Sequence, residues 1–163
     1  MPEFTPVSVT DAGSIALLTQ YFSDRASTFP VAGGYRTTFP DPDQFVPPLG
    51  LFLLVSEDPQ PHSFVGCGGI RRIDDGADGA ARFEAKHLWL QPQVRGRGWG
   101  HLLLDELENR AKDFGAAELV LDTNASLEAA GRLYQSSGYE DVPPYNDNPN
   151  ATNWYRKLLT PSP

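Results

Sequence analysis

The sequence predicts a single α/β domain on a mixed sheet, antiparallel in its first half. Three observations point there. Strand-like apolar runs come first and a strand-helix-strand-helix-strand order follows them. The glycine-rich stretch Gln91-Pro-Gln-Val-Arg95-Gly96-Arg97-Gly98-Trp99-Gly100 joins a strand-like run, Lys86 to Leu90, directly to an amphipathic helix-like run, His101 to Phe114. Finally, 163 residues, 40% of them hydrophobic, suffice for one core and leave no room for a second domain.

Val7 to Val9 reads as a short first strand, and Ser14 to about Arg25 as a helix with Ile15, Leu18, Tyr21 and Phe22 at helical spacing. Ser27 to Gly50 is rich in Pro, Gly and Phe without a sustained period. It reads as an irregular or partly helical excursion and a candidate wall of a substrate pocket, since long loops in compact domains are often functional. Leu51 to Glu57 is a continuous apolar strand, Asp58 to Pro61 a turn, and Ser63 to Ile73 a second strand, together an antiparallel hairpin. Asp74 to Ala80 makes another turn, and Ala81 to Leu90 is the strand that enters the glycine loop. Gly98 to Phe114 follows as a helix with Leu103, Leu107, Ala111 and Phe114 on its buried stripe and Gly115 at its stop. Glu118 to Asp122 is a short buried strand, and Ser126 to Ser137 a helix closed by Gly138, with Ala130, Leu133, Tyr134 and Ser137 on one face. The acidic, proline-rich Glu140 to Asn150 reads as a turn and Thr152 to Leu159 as the last strand. Thr160 to Pro163 is a solvated tail outside a domain of residues 1–159.

Composition narrows the chemistry. A net charge of −8 without a visible basic face argues against a nucleic-acid partner. No apolar run approaches the ~20 residues of a membrane span, and no charged-then-apolar leader opens the chain, so a soluble, cytoplasmic protein without membrane partners is expected. Cys67 is the single cysteine and reads as a small buried filler, and His62, His87 and His101 are scattered, so neither a disulfide nor a metal site is expected. Homodimer formation is compatible with the chain and has no signature in it.

The glycine loop reads as a phosphate cradle. Its glycines let the backbone approach a ligand, the free N–H groups and positive dipole end of the following helix attract anions, and Arg95 and Arg97 add mobile positive charge. A small phosphorylated ligand suits it better than a long polyanion. The dinucleotide fold is a rival, since Gly96-x-Gly98 opens a helix and Asp122 ends the next strand. Against it, His101 stands at the third glycine position and too little chain follows for a doubly wound sheet. A nucleotide P-loop fails because no Gly-Lys-Ser/Thr follows.

Arg95-x-x-Gly98-x-Gly100 entering a long helix, then Leu119-Val-Leu-Asp-Thr, then Ala130-x-x-x-Tyr134-x-x-x-Gly138-Tyr139, resembles the GCN5-related N-acetyltransferase (GNAT) superfamily. Val65-Gly66-Cys67-Gly68-Gly69-Ile70-Arg71 and Glu84-Ala-Lys86-His-Leu-Trp-Leu extend the likeness to roughly Leu51 to Leu159. The resemblance implies the acyl-CoA N-acyltransferase fold, a mixed, mostly antiparallel sheet with helices on both faces. It also implies direct acetyl transfer from acetyl-CoA, as cosubstrate, to a primary amine of a small molecule, of amino-acid, polyamine or antibiotic-like type, in the manner of bacterial small-molecule enzymes.

The likeness gives residues roles. Arg95, Gly96, Arg97, Gly98, Trp99 and Gly100 would hold the cofactor diphosphate. The main chain of Leu88, Trp89 and Leu90 would pair with pantetheine and donate to the thioester carbonyl. Tyr134, which periodicity alone makes a core tyrosine, takes the position that protonates the departing thiolate and touches the cofactor. That transfer runs uphill, from a hydroxyl with pKa about 10 to a thiolate with pKa about 8.5, unless the site helps. Glu84 is the expected base for the amine, although it would equally balance Lys86 or Arg82; in an unbulged strand it shares a face with Lys86, Leu88 and Leu90. Many members carry an asparagine seven residues before the tyrosine, where this chain has Leu127, and Asn124 is the candidate to take over that contact or to cap the helix. Arg71, Tyr145 and Asn146 are candidate acceptor contacts, with surface charge and turn formation as their plainer readings. The alternative from another class is an acyl-CoA-binding sensor or interaction module, which would need the cradle but neither Tyr134 nor Glu84.

Overall fold

The computed structural model describes residues 1–57 and 63–160. Its middle strand β2 (Gly50–Ser56) is buried at every residue, because strands flank both its edges and helices cover both its faces. Alternate side chains divide between the two sides. Leu51, Leu53 and Val55 join one apolar cluster, Phe52 and Leu54 the other.

With β1 (Glu3–Pro6), β3 (Phe64–Arg72), β4 (Arg82–Leu90), β5 (Glu118–Thr123), β6 (Glu140–Val142) and β7 (Asn153–Leu158), β2 builds one seven-stranded sheet in the order β1-β2-β3-β4-β5-β7-β6. β4 and β5 pair in parallel, and the other neighbours are antiparallel. This is the mixed, mostly antiparallel sheet the resemblance implies. Helix α1 (Ala12–Thr28) lies on one face through Leu17, Leu18 and Phe22; α2 (Trp99–Asp113) and α3 (Glu128–Ser136) cover the other through Leu103, Leu107, Ala111 and Tyr134.

Several boundaries differ from expectation. The first strand is Glu3–Pro6 and not Val7 to Val9: the register pairs Glu3 with Ser56 and Pro6 with Leu53, and Val9 packs in the core beneath α1. α1 extends beyond Ser14 to Arg25 at both ends and buries Ser14 and Leu17 where Ile15 and Tyr21 were expected, leaving Ile15 exposed. Within the turn read at Glu140 to Asn150, Glu140–Val142 forms edge strand β6 against Trp154–Arg156. The turn at Asp58 to Pro61 and most of the tail, residues 161–163, lie outside the described residues.

Candidate active site

The parallel pair creates the opening. β4 and β5 are in register only at Arg82↔Glu118, Phe83↔Leu119 and Glu84↔Val120, after which they part, and the edge of β4 from Ala85 to Leu90 has no strand beside it. On its other edge β4 carries a bulge. Cys67 pairs with Trp89 and Gly69 with Lys86, so His87 and Leu88 together face Gly68, and His87 takes φ 58°. The extra residue shifts the phase: Glu84, His87 and Trp89 lie on the α1 side, and Leu88 and Leu90 pack on the α2 side, so the face expected for an unbulged strand does not persist beyond Lys86.

β4 runs into the glycine loop. Gly96 and Gly98 both adopt φ +78°, a conformation that costs other residues about 1–2 kcal/mol. The space where a Cβ would stand is open at both. Gly98 is the N-cap of α2 and no side chain caps its first-turn N–H groups, which leaves them for an anion. The arginines are less mobile than expected. Arg95 donates from Nε to the Leu90 carbonyl (2.9 Å), and Arg97 pairs with Glu57 (2.6 Å) and lies over the Trp99 ring.

A cavity of about 460 Å³ opens where β4 and β5 separate. Leu88, Asn124, Leu127 and Tyr134 line it together with Arg25, Tyr35, Arg36, Phe39 and Phe45, so α1 and the excursion of residues 27–50 do wall a pocket. Asn150 ties that excursion down, accepting from the Arg36 N–H (2.9 Å) and donating to the Arg36 carbonyl (2.7 Å). Tyr134 is 7% exposed, with its ring against Tyr139 and Tyr155; among the described residues its hydroxyl has no hydrogen-bond partner. Burial raises its pKa above the ordinary value, Arg25 opposes this in part, and the hydroxyl therefore stays protonated at neutral pH.

Behind the cavity wall sits a carboxylate network. Glu84 is 1% exposed; its Oε1 accepts from Arg71 Nε (3.0 Å) and a terminal nitrogen (2.8 Å), its Oε2 from Tyr145 (2.7 Å) and Asn146 (3.3 Å). Arg71 lines the cavity and Glu84 does not. Asn146 also donates to Asp122 (2.8 Å), as does Asn148 (3.1 Å), and Asp122 does line the cavity.

Thus Leu88, Tyr134, Asn124 and Arg71 meet at one cavity, while Tyr145 and Asn146 reach it only through Glu84 and Asp122. The Trp89 and Leu90 side chains are structural: the Trp89 indole donates to Asp24 (3.0 Å) and Leu90 fills the core. Asn124 accepts from the Ser126 N–H (3.0 Å) and donates to the Asn150 carbonyl, turning the chain into α3. Sequence reasoning missed three residues. Arg25 stands in the last turn of a helix read only as amphipathic; Asp122 at the C-terminal end of a buried parallel strand was a legible signal, since open α/β sheets place ligands there. His87 is brought to the wall by the bulge alone. It is 8% exposed, its Nδ1 is buried without a partner among the described residues, and burial, then Lys86 and Arg71, pull its pKa down to about 3.

Comparison with known proteins is consistent with this geometry. The acetyltransferase (GNAT) family matches residues 16–139. An uncharacterised N-acetyltransferase of Schizosaccharomyces pombe is 31% identical over 115 residues, 71% of this chain and 67% of that protein. A Klebsiella pneumoniae protein assigned to the acyl-CoA N-acyltransferases superposes with a TM-score of 0.73 at 28% identity, over 98% of this chain and 99% of the other. A Clostridium acetobutylicum protein assigned as an acetyltransferase, whose structure was solved with acetyl-CoA, has a TM-score of 0.65 at 16% identity, over 90% and 95% of the two chains. Among the described residues no group of three or more His, Cys, Asp or Glu could hold a metal ion, and no helix is long and apolar enough to cross a membrane.

Proposed function

Because the chain belongs to the acetyltransferase (GNAT) family, we propose that it carries an acetyl group from acetyl-CoA to a primary amine of a small molecule by direct attack. The observation that carries this reading is the parting of β4 and β5 after Glu84, with the glycine loop at the end of β4 and Tyr134 on the wall of the resulting cavity. The loop fits a diphosphate: two positive-φ glycines leave open space beside uncapped helix N–H groups. The Clostridium relative's acetyl-CoA supports the choice of cosubstrate.

When bound, acetyl-CoA supplies an activated acetyl thioester. The first turn of α2 and the loop main chain would hold its phosphates, and the main chain of β4 at Leu88 to Leu90, where the Leu90 carbonyl already accepts from Arg95, would offer groups to the pantetheine amides and the thioester oxygen. The amine nitrogen bonds to the acetyl carbon as the carbon–sulfur bond breaks, and Tyr134, still protonated because burial raises its pKa, gives its proton to sulfur. The proton lost by nitrogen has two candidate receivers. Asp122 lines the cavity and is held only by neutral amide donors, which leaves it free lone pairs; we place the proton there. Glu84 is the second reading, favoured by its place on β4 beside Arg71. It would act through a bridging water, since its oxygens already accept from Arg71, Tyr145 and Asn146. In the first reading Glu84 is a positioning residue that fixes Arg71 on the wall.

The test is a thiol-release screen of acetyl-CoA against amino acids, polyamines, aminoglycosides and peptide N-termini. An amine that accelerates release and gains an acetyl group by mass supports the reading. Release that no amine accelerates points to the acyl-CoA-binding module.

A further inference from the structure

The charge around the cavity runs against that of the chain. The protein carries 21 acidic and 13 basic residues, yet the cavity is lined by Arg25, Arg36, Arg71 and Lys86 against Asp41 and Asp122. Arg71 is committed to Glu84 and Gln44. Lys86 approaches only Glu84 Oε1, at 3.7 Å, an oxygen Arg71 already occupies. Arg36 makes only main-chain bonds, to Asn150, among the described residues.

Arg25 is the most telling. Its side chain is 18% exposed and its guanidinium lies over the Tyr21 ring, 5.3 Å from the centroid. Among the described residues the carboxylate that approaches it is Asp24, at 3.8 Å, beyond hydrogen-bond reach. The same Asp24 oxygen takes the Trp89 indole at 3.0 Å and lies 3.5 Å from Arg95. A guanidinium so far withdrawn from water without a bonded anion is costly unless a ligand supplies one. Pantetheine has no charge, and the phosphates of coenzyme A have the glycine loop, so the cosubstrate has no use for a cation in this cavity.

The lining is also aromatic, with Phe22 5.0 Å from Phe39 and Phe29 5.6 Å from Tyr35 between ring centroids. These rings give the cavity an apolar surface against which a flat body can pack. Asp122 lines the same cavity and offers a carboxylate to an incoming ammonium group.

We infer that the acceptor is an amine bearing a carboxylate on an aromatic body, the class of the aromatic α-amino acids, and that Arg25 receives the carboxylate; this rests on the acetyl-transfer reading above. Polyamines and aminoglycosides, which bring only positive charge, are excluded by the same wall.

The experiment measures thiol release at saturating acetyl-CoA with L-phenylalanine, phenethylamine and spermidine, corrected for the fraction of unprotonated amine, in wild type, Arg25→Lys and Arg25→Gln. Melting temperature with and without coenzyme A checks each protein's fold and cosubstrate site. In wild type kcat/KM for phenylalanine exceeds that for phenethylamine at least about tenfold, the scale of one charge-assisted hydrogen bond. That ratio collapses toward one in Arg25→Gln, mainly through KM, and is partly kept in Arg25→Lys. If phenethylamine or spermidine matches phenylalanine in wild type, or Arg25→Gln leaves the ratio unchanged, the inference is overturned and acetyl transfer stands. If all three amines are inert while coenzyme A still raises the melting temperature, the inference also falls. If coenzyme A binds to none of the proteins, it is the acetyl-transfer reading that fails.

Discussion

Tyr134→Phe separates a catalytic hydroxyl from a structural one. The hydroxyl has no hydrogen-bond partner among the described residues, and the ring keeps its neighbours Tyr139 and Tyr155 at 6.1 and 5.8 Å in the variant. Removing it orphans no group, so stability changes by less than about 1 kcal/mol, or about 2–4 °C in a chain of this size. The rate is another matter. General acids contribute about 10²–10⁴-fold, and a thiol with pKa about 8.5 is a good enough leaving group to place the loss near the lower end, about 100-fold or 2.7 kcal/mol. The deficit should shrink above pH 9, where a departing thiolate no longer needs a proton. Burial raises the Tyr134 pKa, so the acid form persists and wild type shows no alkaline fall from this group below pH 10. Single-turnover thiol release from pH 6.5 to 9.5, with melting curves alongside, measures both. A variant within threefold of wild type at pH 7.5, or one that melts more than about 8 °C lower, would refute the reasoning.

Gly98→Ala meets no clash but must hold φ +78°, so it should lose about 1 kcal/mol of stability and, by crowding the cradle, most of the melting-temperature rise given by coenzyme A; an unchanged rise would detach the loop from the cofactor. Asp122→Asn should lower kcat about 100-fold with little change in melting temperature. Glu84→Gln should instead destabilise by about 3 kcal/mol, or roughly 6–12 °C, by stranding the partly buried Arg71. If Glu84→Gln is the variant that loses kcat while Asp122→Asn keeps it, the roles are reversed. His87 is held neutral by a pKa of about 3 in the folded chain against about 6.5 unfolded. Between those values the unfolded chain binds the extra proton, so stability falls as pH drops below 6.5, by up to about 1.4 kcal/mol per pH unit. Urea midpoints at pH 7 and pH 5 should differ less in His87→Gln than in wild type, and an equal difference would show that His87 is not the group responsible.

A continuous apolar run made β2 legible, apolar stretches bounded by turn signals did the same for β3 and β4, and the stripe Leu103, Leu107, Ala111 marked α2. The edges were not legible. β6 is Glu-Asp-Val, a strand only because Trp154 to Arg156 lies beside it, and β1 begins with a polar residue and ends in proline. The cradle could be read from its glycines, of which Gly96 and Gly98 take positive φ while Gly100 lies in the first turn of α2. The bulge at His87 and Leu88 could not, since a pairing irregularity depends on the partner strand. For the same reason Glu84 reads as a base from its place on β4, whereas its partners Tyr145 and Asn146 stand more than 60 residues away. Arg25 belongs to the site only because α1 crosses β3 and β4, a tertiary fact with no local sign.

The latch formed by Asn150 has a wider consequence. One amide clasps both main-chain groups of Arg36, much as a neighbouring strand would, and thereby pins a long irregular segment over a rigid sheet. Because that clasp joins residues 114 apart in sequence, anything that shifts Asn150 shifts the main chain at Arg36 with it, so the stretch after β6 and the stretch before β2 respond as one unit.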